Sequence, residues 1–152
     1  AQSNRWCPTS LNLAVALENS RAQQTFNTPS LSTFVLLDNQ LQWMLNNGGM
    51  DWCLQRTKES SEYLYNWATH SSFAAPFVHN PVFRSPVVGT IDVDGFDASV
   101  ISAVLRSNGI VDTEPYRKLG RNQLRISMFP SVEPSDVQLL THCIDYIVEH
   151  MS

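Results

Sequence analysis

The amino-acid sequence predicts an α+β fold: a small antiparallel or mixed sheet covered by helices on one face, preceded by a long connecting helix. Three observations predict it. From Ser85 onward the hydrophobic pattern runs strand, helix, short extended segment, strand, helix, an order that suits a sheet layered under helices. Ahead of it, one long helix is bounded by a proline at its start and a glycine pair at its end. The 152 residues, 43% of them hydrophobic, suffice for one core, since a domain takes roughly 100–200 residues.

The elements follow in order. Leu11, Leu13, Val15 and Leu17 alternate with smaller or polar neighbours and predict a short strand. Asn27-Thr28-Pro29 sets a hydroxyl residue before a proline at the first helical position, a helix-start signal. That helix runs through Leu31, Phe34, Val35, Leu41 and Met44 and closes at Asn47-Gly48-Gly49. A second spans about Met50 to Thr69, with Met50, Cys53, Leu54, Leu64, Tyr65 and Ala68 toward a core and Arg56, Lys58, Glu59 and Glu62 toward water. His70 to Arg84 reads as loop, because Pro76 and Pro81 forbid long regular structure. Ser85 to Val93 is a strand. Asp97 caps a helix with Val100, Ile101, Val104 and Leu105 inward, and Asn108-Gly109 ends it. Ile110-Val111 is a short extended segment, and Leu124, Ile126 and Met128 alternate as a second full strand. Pro134-Ser135-Asp136 opens a terminal helix with Val137, Leu140, Ile144, Ile147 and Val148 on one face. The domain boundary is expected at the glycine pair, dividing residues 1–48 from 49–152.

Composition excludes several classes. Ten Lys and Arg against fourteen Asp and Glu give a net charge of -4, with no broad basic footprint for a nucleic-acid backbone. No window approaches the roughly 20 apolar residues of a membrane span, and no charged segment leads into an apolar run as in a signal peptide. Cys7, Cys53 and Cys143 are odd in number and widely spaced, which reads as reduced thiols in a cytoplasmic protein rather than a disulfide framework or zinc site. His70, His79, His142 and His150 lack metal-ligand spacing, and no GxSxG elbow supports hydrolysis. Asp92 and Asp94 flank Val93 at a strand end and read as solvated carboxylates.

The informative cluster is Tyr116-Arg117-Lys118-Leu119-Gly120-Arg121-Asn122-Gln123-Leu124-Arg125, with four cations in a loop and the strand it feeds. Arg125 alternates with Leu124 and Ile126, so its side chain leaves one sheet face while theirs pack on the other. An arginine so placed is a fork for a carboxylate or phosphate on a rigid element. On pattern alone, an anion site and a solvated basic loop stand level.

Two motifs and their separation then become recognisable. The run Gln24-Thr25-Phe26-Asn27-Thr28-Pro29, the glycine-closed helix, the run from Asn108 to Arg125, and Met128-Phe129-Pro130 before a terminal helix together closely resemble phosphoserine aminotransferase of the actinobacterial kind, over essentially the whole chain. The resemblance implies a pyridoxal 5'-phosphate enzyme whose small carboxy-terminal domain has the α+β form above. Such an enzyme works as a homodimer and moves the amino group of glutamate onto 3-phosphohydroxypyruvate in serine biosynthesis, with a related substrate serving pyridoxine synthesis in some organisms. It implies that Asn27 and Thr28 reach the cofactor phosphate of the neighbouring subunit, a helix amino terminus assisting. It implies that Arg125 grips the substrate carboxylate. Where the family often has His-Arg for the substrate phosphate, this chain has Gly120-Arg121, closer to Arg125 than usual, so Arg121 is the expected phosphate ligand with Asn122, Arg117 and Lys118 as substitutes.

One departure is large. Lys58 and Lys118 are the only lysines, and neither matches the family's Schiff-base lysine, which belongs to a region ahead of this sequence, as do the ring-stacking aromatic and the aspartate that pairs with the pyridine nitrogen. The resemblance thus implies a carboxy-terminal fragment, silent alone, made of the end of the large cofactor domain, the connecting helix and the small domain. Two alternatives stay open: another pyridoxal-phosphate aminotransferase or desulfurase of the superfamily, and a non-catalytic anion-binding module.

Overall fold

The protein's computed structural model describes residues 6–151. The chain divides into two compact units, Ala1–Leu45 and Asn46–Ser152. The first holds a 3-10 turn at Thr9–Leu11, helix α1 (Leu13–Arg21) and all but the last residue of α2 (Leu31–Asn46), and none of their residues is buried.

Two expectations are corrected in this unit. The segment read as a strand at Leu11 to Leu17 is α1. Asn12 decides it: its side-chain oxygen accepts the Ala14 N–H at 3.0 Å and caps the helix, and Leu13, Ala14, Ala16 and Leu17 are strong helix formers. Alternating apolar residues in so short a run fit either period. The long helix begins at Leu31 rather than Pro29. Ser30 supplies the turn, its carbonyl accepting the Phe34 N–H at 3.2 Å and its hydroxyl the Thr33 hydroxyl at 2.9 Å.

The second unit contains α3 (Gly49–His70), β1 (Ala74–Pro76), a 3-10 turn at Pro81–Phe83, β2 (Val88–Val93), α4 (Ala98–Ser107), β3 (Gln123–Ser127) and α5 (Pro134–Glu149). The strands form one antiparallel sheet in the order β1-β2-β3, with Ala75 opposite Asp92, Thr90 opposite Arg125 and Ile91 opposite Leu124. Helices α3, α4 and α5 cover one face, so the α+β class is as the hydrophobic pattern predicts. Leu64, Ala68, Ile91, Val93, Ile101, Leu105, Leu124, Ile126, Met128, Val137, Ile144 and Val148 make the core.

Strand β1 replaces part of the expected loop. Pro76 is compatible with it because β1 is an edge strand, where a missing N–H costs no ladder bond. Ile110-Val111 forms no strand. Ile110 instead completes the carboxy-terminal cap of α4, its N–H donating to the Leu105 carbonyl at 3.0 Å while Gly109 donates to Arg106 at 3.1 Å. The cap requires the left-handed φ of +86° that Gly109 supplies.

Several side-chain directions also differ from expectation. Met50 and Leu54 in α3, and Val100 and Val104 in α4, lie toward water. Arg56 turns inward, only 16% exposed. Its guanidinium donates to the Pro130 and Val132 carbonyls at 2.8 and 3.2 Å, meets Glu133 at 2.8 Å and lies over the Trp52 ring, tying α3 to the start of α5.

Candidate functional site

The helix-free face of the sheet carries the chemistry. Leu124 and Ile126 are buried on either side of Arg125, whose own side chain is exposed on the opposite face. Its backbone is held twice: Arg125 pairs with Thr90 across the sheet, and its N–H donates to the Thr113 carbonyl at 3.0 Å. The segment after the α4 cap therefore runs beside the outer edge of β3. Among the described residues, no carboxylate forms an ion pair with the Arg125 guanidinium.

Arg125 lines an open cleft of about 970 Å³ together with Arg117, Lys118, Arg106, Glu114 and Phe129. Four cations thus line it, Arg125 on a strand, Arg117 and Lys118 on the loop and Arg106 at the end of α4, and the three of them not engaged by Glu114 suit an anion bearing more than one negative group. At the cleft's acidic edge, Glu114 Oε1 accepts from Arg106 Nε at 2.8 Å and lies 2.7 Å from its Nη2, with Asp112 3.4 Å from the same Nη2. The Arg106 hydrogen bond is the main reason the Glu114 carboxyl is held below its ordinary range, with the charges of Arg106 and Arg125 adding to it.

Arg121 is placed differently. Asp92 clasps its guanidinium in two contacts, Nε to Oδ1 at 3.3 Å and Nη2 to Oδ2 at 3.0 Å, and the group lies 5.0 Å from the centre of the Phe77 ring. Gln123, fully buried, donates from Nε2 to the same Asp92 at 2.6 Å, and its Oε1 has no partner. Asp92, read from sequence as solvated, is therefore an anchor. Asn122 caps α4 from outside, accepting the Ala98 N–H at 2.8 Å and donating to Val93 and Phe96, which leaves its side chain engaged within the fold.

Asn27 and Thr28 lie in the first unit, both exposed, in a shallow hollow of about 720 Å³ with Ser20, Gln23, Gln24, Thr25, Phe26 and Pro29. The Thr25 hydroxyl donates to the Asn27 carbonyl at 2.6 Å, fixing the turn. The side chains of Asn27 and Thr28 are left to offer an amide and a hydroxyl, donors that suit a phosphate ester. Lys58 is exposed on α3 beside Glu62, 3.8 Å away. Among the described residues no cluster of His, Cys, Asp and Glu could hold a metal ion, and no helix is long and apolar enough to cross a membrane. Cys53 is buried, Cys143 half-buried and Cys7 exposed, all as free thiols.

Sequence reasoning passed over Arg106, Glu114 and Asp112. The signal available was an acid pair two residues apart just beyond a helix that ends in a cation, but only the folded cap brings them together.

The sheet and its helices have a fold that recurs within solved phosphoserine aminotransferases. The same fold occurs in phosphoserine aminotransferase from Bacillus circulans, with a TM-score of 0.81 and 19% identity over 96% of this chain and 39% of that one. The pyridoxal-phosphate-bound phosphoserine aminotransferase of Trichomonas vaginalis has a TM-score of 0.76 at 16% identity, over 95% of this chain and 40% of its own. No family model matches the chain. In sequence it is similar to proteins named phosphoserine aminotransferase: it is 53% identical over 150 residues to the Rhodococcus jostii protein of that name, covering 98% of this chain and 40% of the relative. A Mycolicibacterium vanbaalenii protein that carries the name provisionally is 57% identical over 152 residues, 99% of this chain and 41% of its own. The chain thus spans about two-fifths of the length of these relatives.

Proposed function

We propose that this chain supplies the carboxylate-binding part of a pyridoxal-phosphate-dependent phosphoserine aminotransferase, which exchanges an amino group between glutamate and 3-phosphohydroxypyruvate. The identity of more than half of all residues along nearly the entire chain carries this reading. The domain division belongs to it, with residues 1–48 as the end of the large cofactor domain plus the connecting helix and residues 49–152 as the small domain. Serine biosynthesis, a further part in pyridoxine biosynthesis, a homodimeric state and a cytoplasmic location follow as parts of the same reading.

When bound, the cofactor supplies the electron sink for amino transfer. Arg125 orients either substrate by its carboxylate, from a strand whose backbone is fixed on both sides. Asn27 and Thr28 donate to the cofactor phosphate of the neighbouring subunit. Arg121 serves the substrate phosphate, its plane set by Asp92, with Arg117 and Lys118 beside Arg125 as further cations. Lys58 is ion-paired on a solvated helix face and Lys118 lies on the loop of the anion cleft, so neither stands where the family's Schiff-base lysine is expected. The chain alone is therefore inactive.

The test is substrate profiling of the full-length enzyme. Glutamate with 3-phosphohydroxypyruvate should turn over, and Arg125→Ala should lower kcat/KM for both substrates by about 100-fold, the loss of a charge-assisted fork. Unchanged kinetics in that variant would remove Arg125 from the site. A preference for unphosphorylated keto acids would instead favour a different aminotransferase of the superfamily.

A further inference from the structure

Arg125 is exposed, has no ion pair among the described residues, and shares its cleft with a carboxylate. That combination needs an explanation. A free glutamate beside an arginine fork presents the same functional group as the substrate, at a high local concentration, and would occupy the fork itself. In this structure Glu114 is turned to Arg106 instead.

We infer that Arg106 is a positioning residue, which holds Glu114 away from Arg125 and so keeps the carboxylate fork open for substrate. The inference rests on the reading of Arg125 given above. Its geometry is specific. Arg106 sits in the last turn of α4, where a cation is favoured by the helix carboxy terminus. The cap formed by Gly109 and Ile110 then reverses the chain and brings residues 112–114 back past it. Asp112 adopts a left-handed φ of +64°, uncommon outside glycine but tolerated by aspartate, and its carboxylate reaches the Arg106 guanidinium at 3.4 Å. Glu114 takes the Nε and Nη2 side of the same group at 2.8 and 2.7 Å. Two acids are thus gathered on one arginine, while the arginine proposed to bind substrate carries neither.

The experiment is a kinetic double-mutant cycle in the full-length enzyme. Arg106→Gln should raise KM for both glutamate and the phosphorylated keto acid about tenfold with a much smaller change in kcat, because the released Glu114 competes for Arg125 with the ground-state carboxylate. Adding Glu114→Gln to that variant should return KM toward the wild-type value, and Arg106→Lys, which retains a charge for Glu114, should fall between. The dissociation constant of glutamate, read by calorimetry, should move with KM. A purely structural role for Arg106 would leave the double variant as impaired as the single one, and that result would overturn the inference, as would an unchanged KM in Arg106→Gln. Should Arg106→Gln not fold, Arg106→Lys with and without Glu114→Gln decides: the added substitution should return KM toward the wild-type value, and a KM that stays raised without rescue, or one that never rises, would overturn the inference. Arg125→Ala in the same series separates the two levels, because unaltered KM there overturns the carboxylate-site reading, whereas a large effect there with no rescue in the cycle overturns only the role of Arg106.

Discussion

Single residues set the local geometry through charge and hydrogen bonding. Asp97 accepts the Ser99 N–H and hydroxyl at 2.8 and 2.7 Å, and these bonds, the hydroxyl's first, hold its carboxyl below the usual range. Glu133 is likewise lowered, first by its hydrogen bond from Arg56. A carboxylate depressed in the folded state stabilises it fully above its unfolded value, and that contribution is lost as pH falls through the folded one. Acid should therefore weaken the cap of α4 and the clamp between α3 and α5. The Asp97→Ala variant is expected to be less stable than the parent at neutral pH, as loss of such a cap makes it, and to show a shallower acid limb in thermal melts against pH. An equal acid slope in variant and parent would remove Asp97 from the titration. The same scale explains why the cleft was only partly legible in the sequence. Arg125 announces its direction by alternation with two apolar neighbours. Arg106 and Glu114 lie eight positions apart with a turn between them, and no periodicity relates such a pair.

Elements with a chemical signal at each end were readable, and those without one were not. Helix α4 has an aspartate before it and Asn-Gly after it, α5 opens on a proline, and β3 alternates without interruption. Strand β1 has three residues, two of them alanine and one proline, and exists because β2 offers it a partner. Its pairing is a tertiary fact. Helix α1 reads as a strand in the sequence because a run of nine residues with several leucines and alanines satisfies both periods until the Asn12 cap is seen. Close packing at the element scale gives a further prediction. A Cβ placed on Gly89 of β2 would lie 2.4 Å from Leu64 Cδ2, and Leu64 is fully buried with little room to retreat. Gly89→Ala should destabilise the second unit by about 1–3 kcal/mol, the ordinary cost of overpacking, and Leu64→Val in the same chain should recover part of it. Denaturant midpoints measure both, and a neutral Gly89→Ala would mean that α3 can move off the sheet.

At the scale of the whole molecule the two units differ in kind. The second has a continuous core, whereas in the first Leu31, Phe34, Val35, Leu36, Leu37, Leu41 and Leu45 of α2 are each close to half exposed or more. Removing one such side chain from water is worth about 1.5–3 kcal/mol, so a helix apolar on every side is a strong driver of association. The 152-residue chain in isolation is expected to self-associate, with a mass by light scattering that rises with concentration, and amides in α2 should gain exchange protection as it does. A constant monomeric mass with α2 already protected would count against this.

The alternation along β3 has a consequence for how this surface can change over generations. Leu124, Ile126 and Met128 face the core while Arg125 and Ser127 face the cleft. Replacements at the two outward positions can alter the charge and shape of the cleft without touching what keeps the chain folded, and replacements at the three inward positions do the reverse. Selection on one property is thus nearly blind to the other, except at Gln123, which is buried and yet bonded to the Asp92 that steadies Arg121. A change in the cleft that passes through Gln123 would carry a loss of thermal tolerance with it, and lineages should avoid that route.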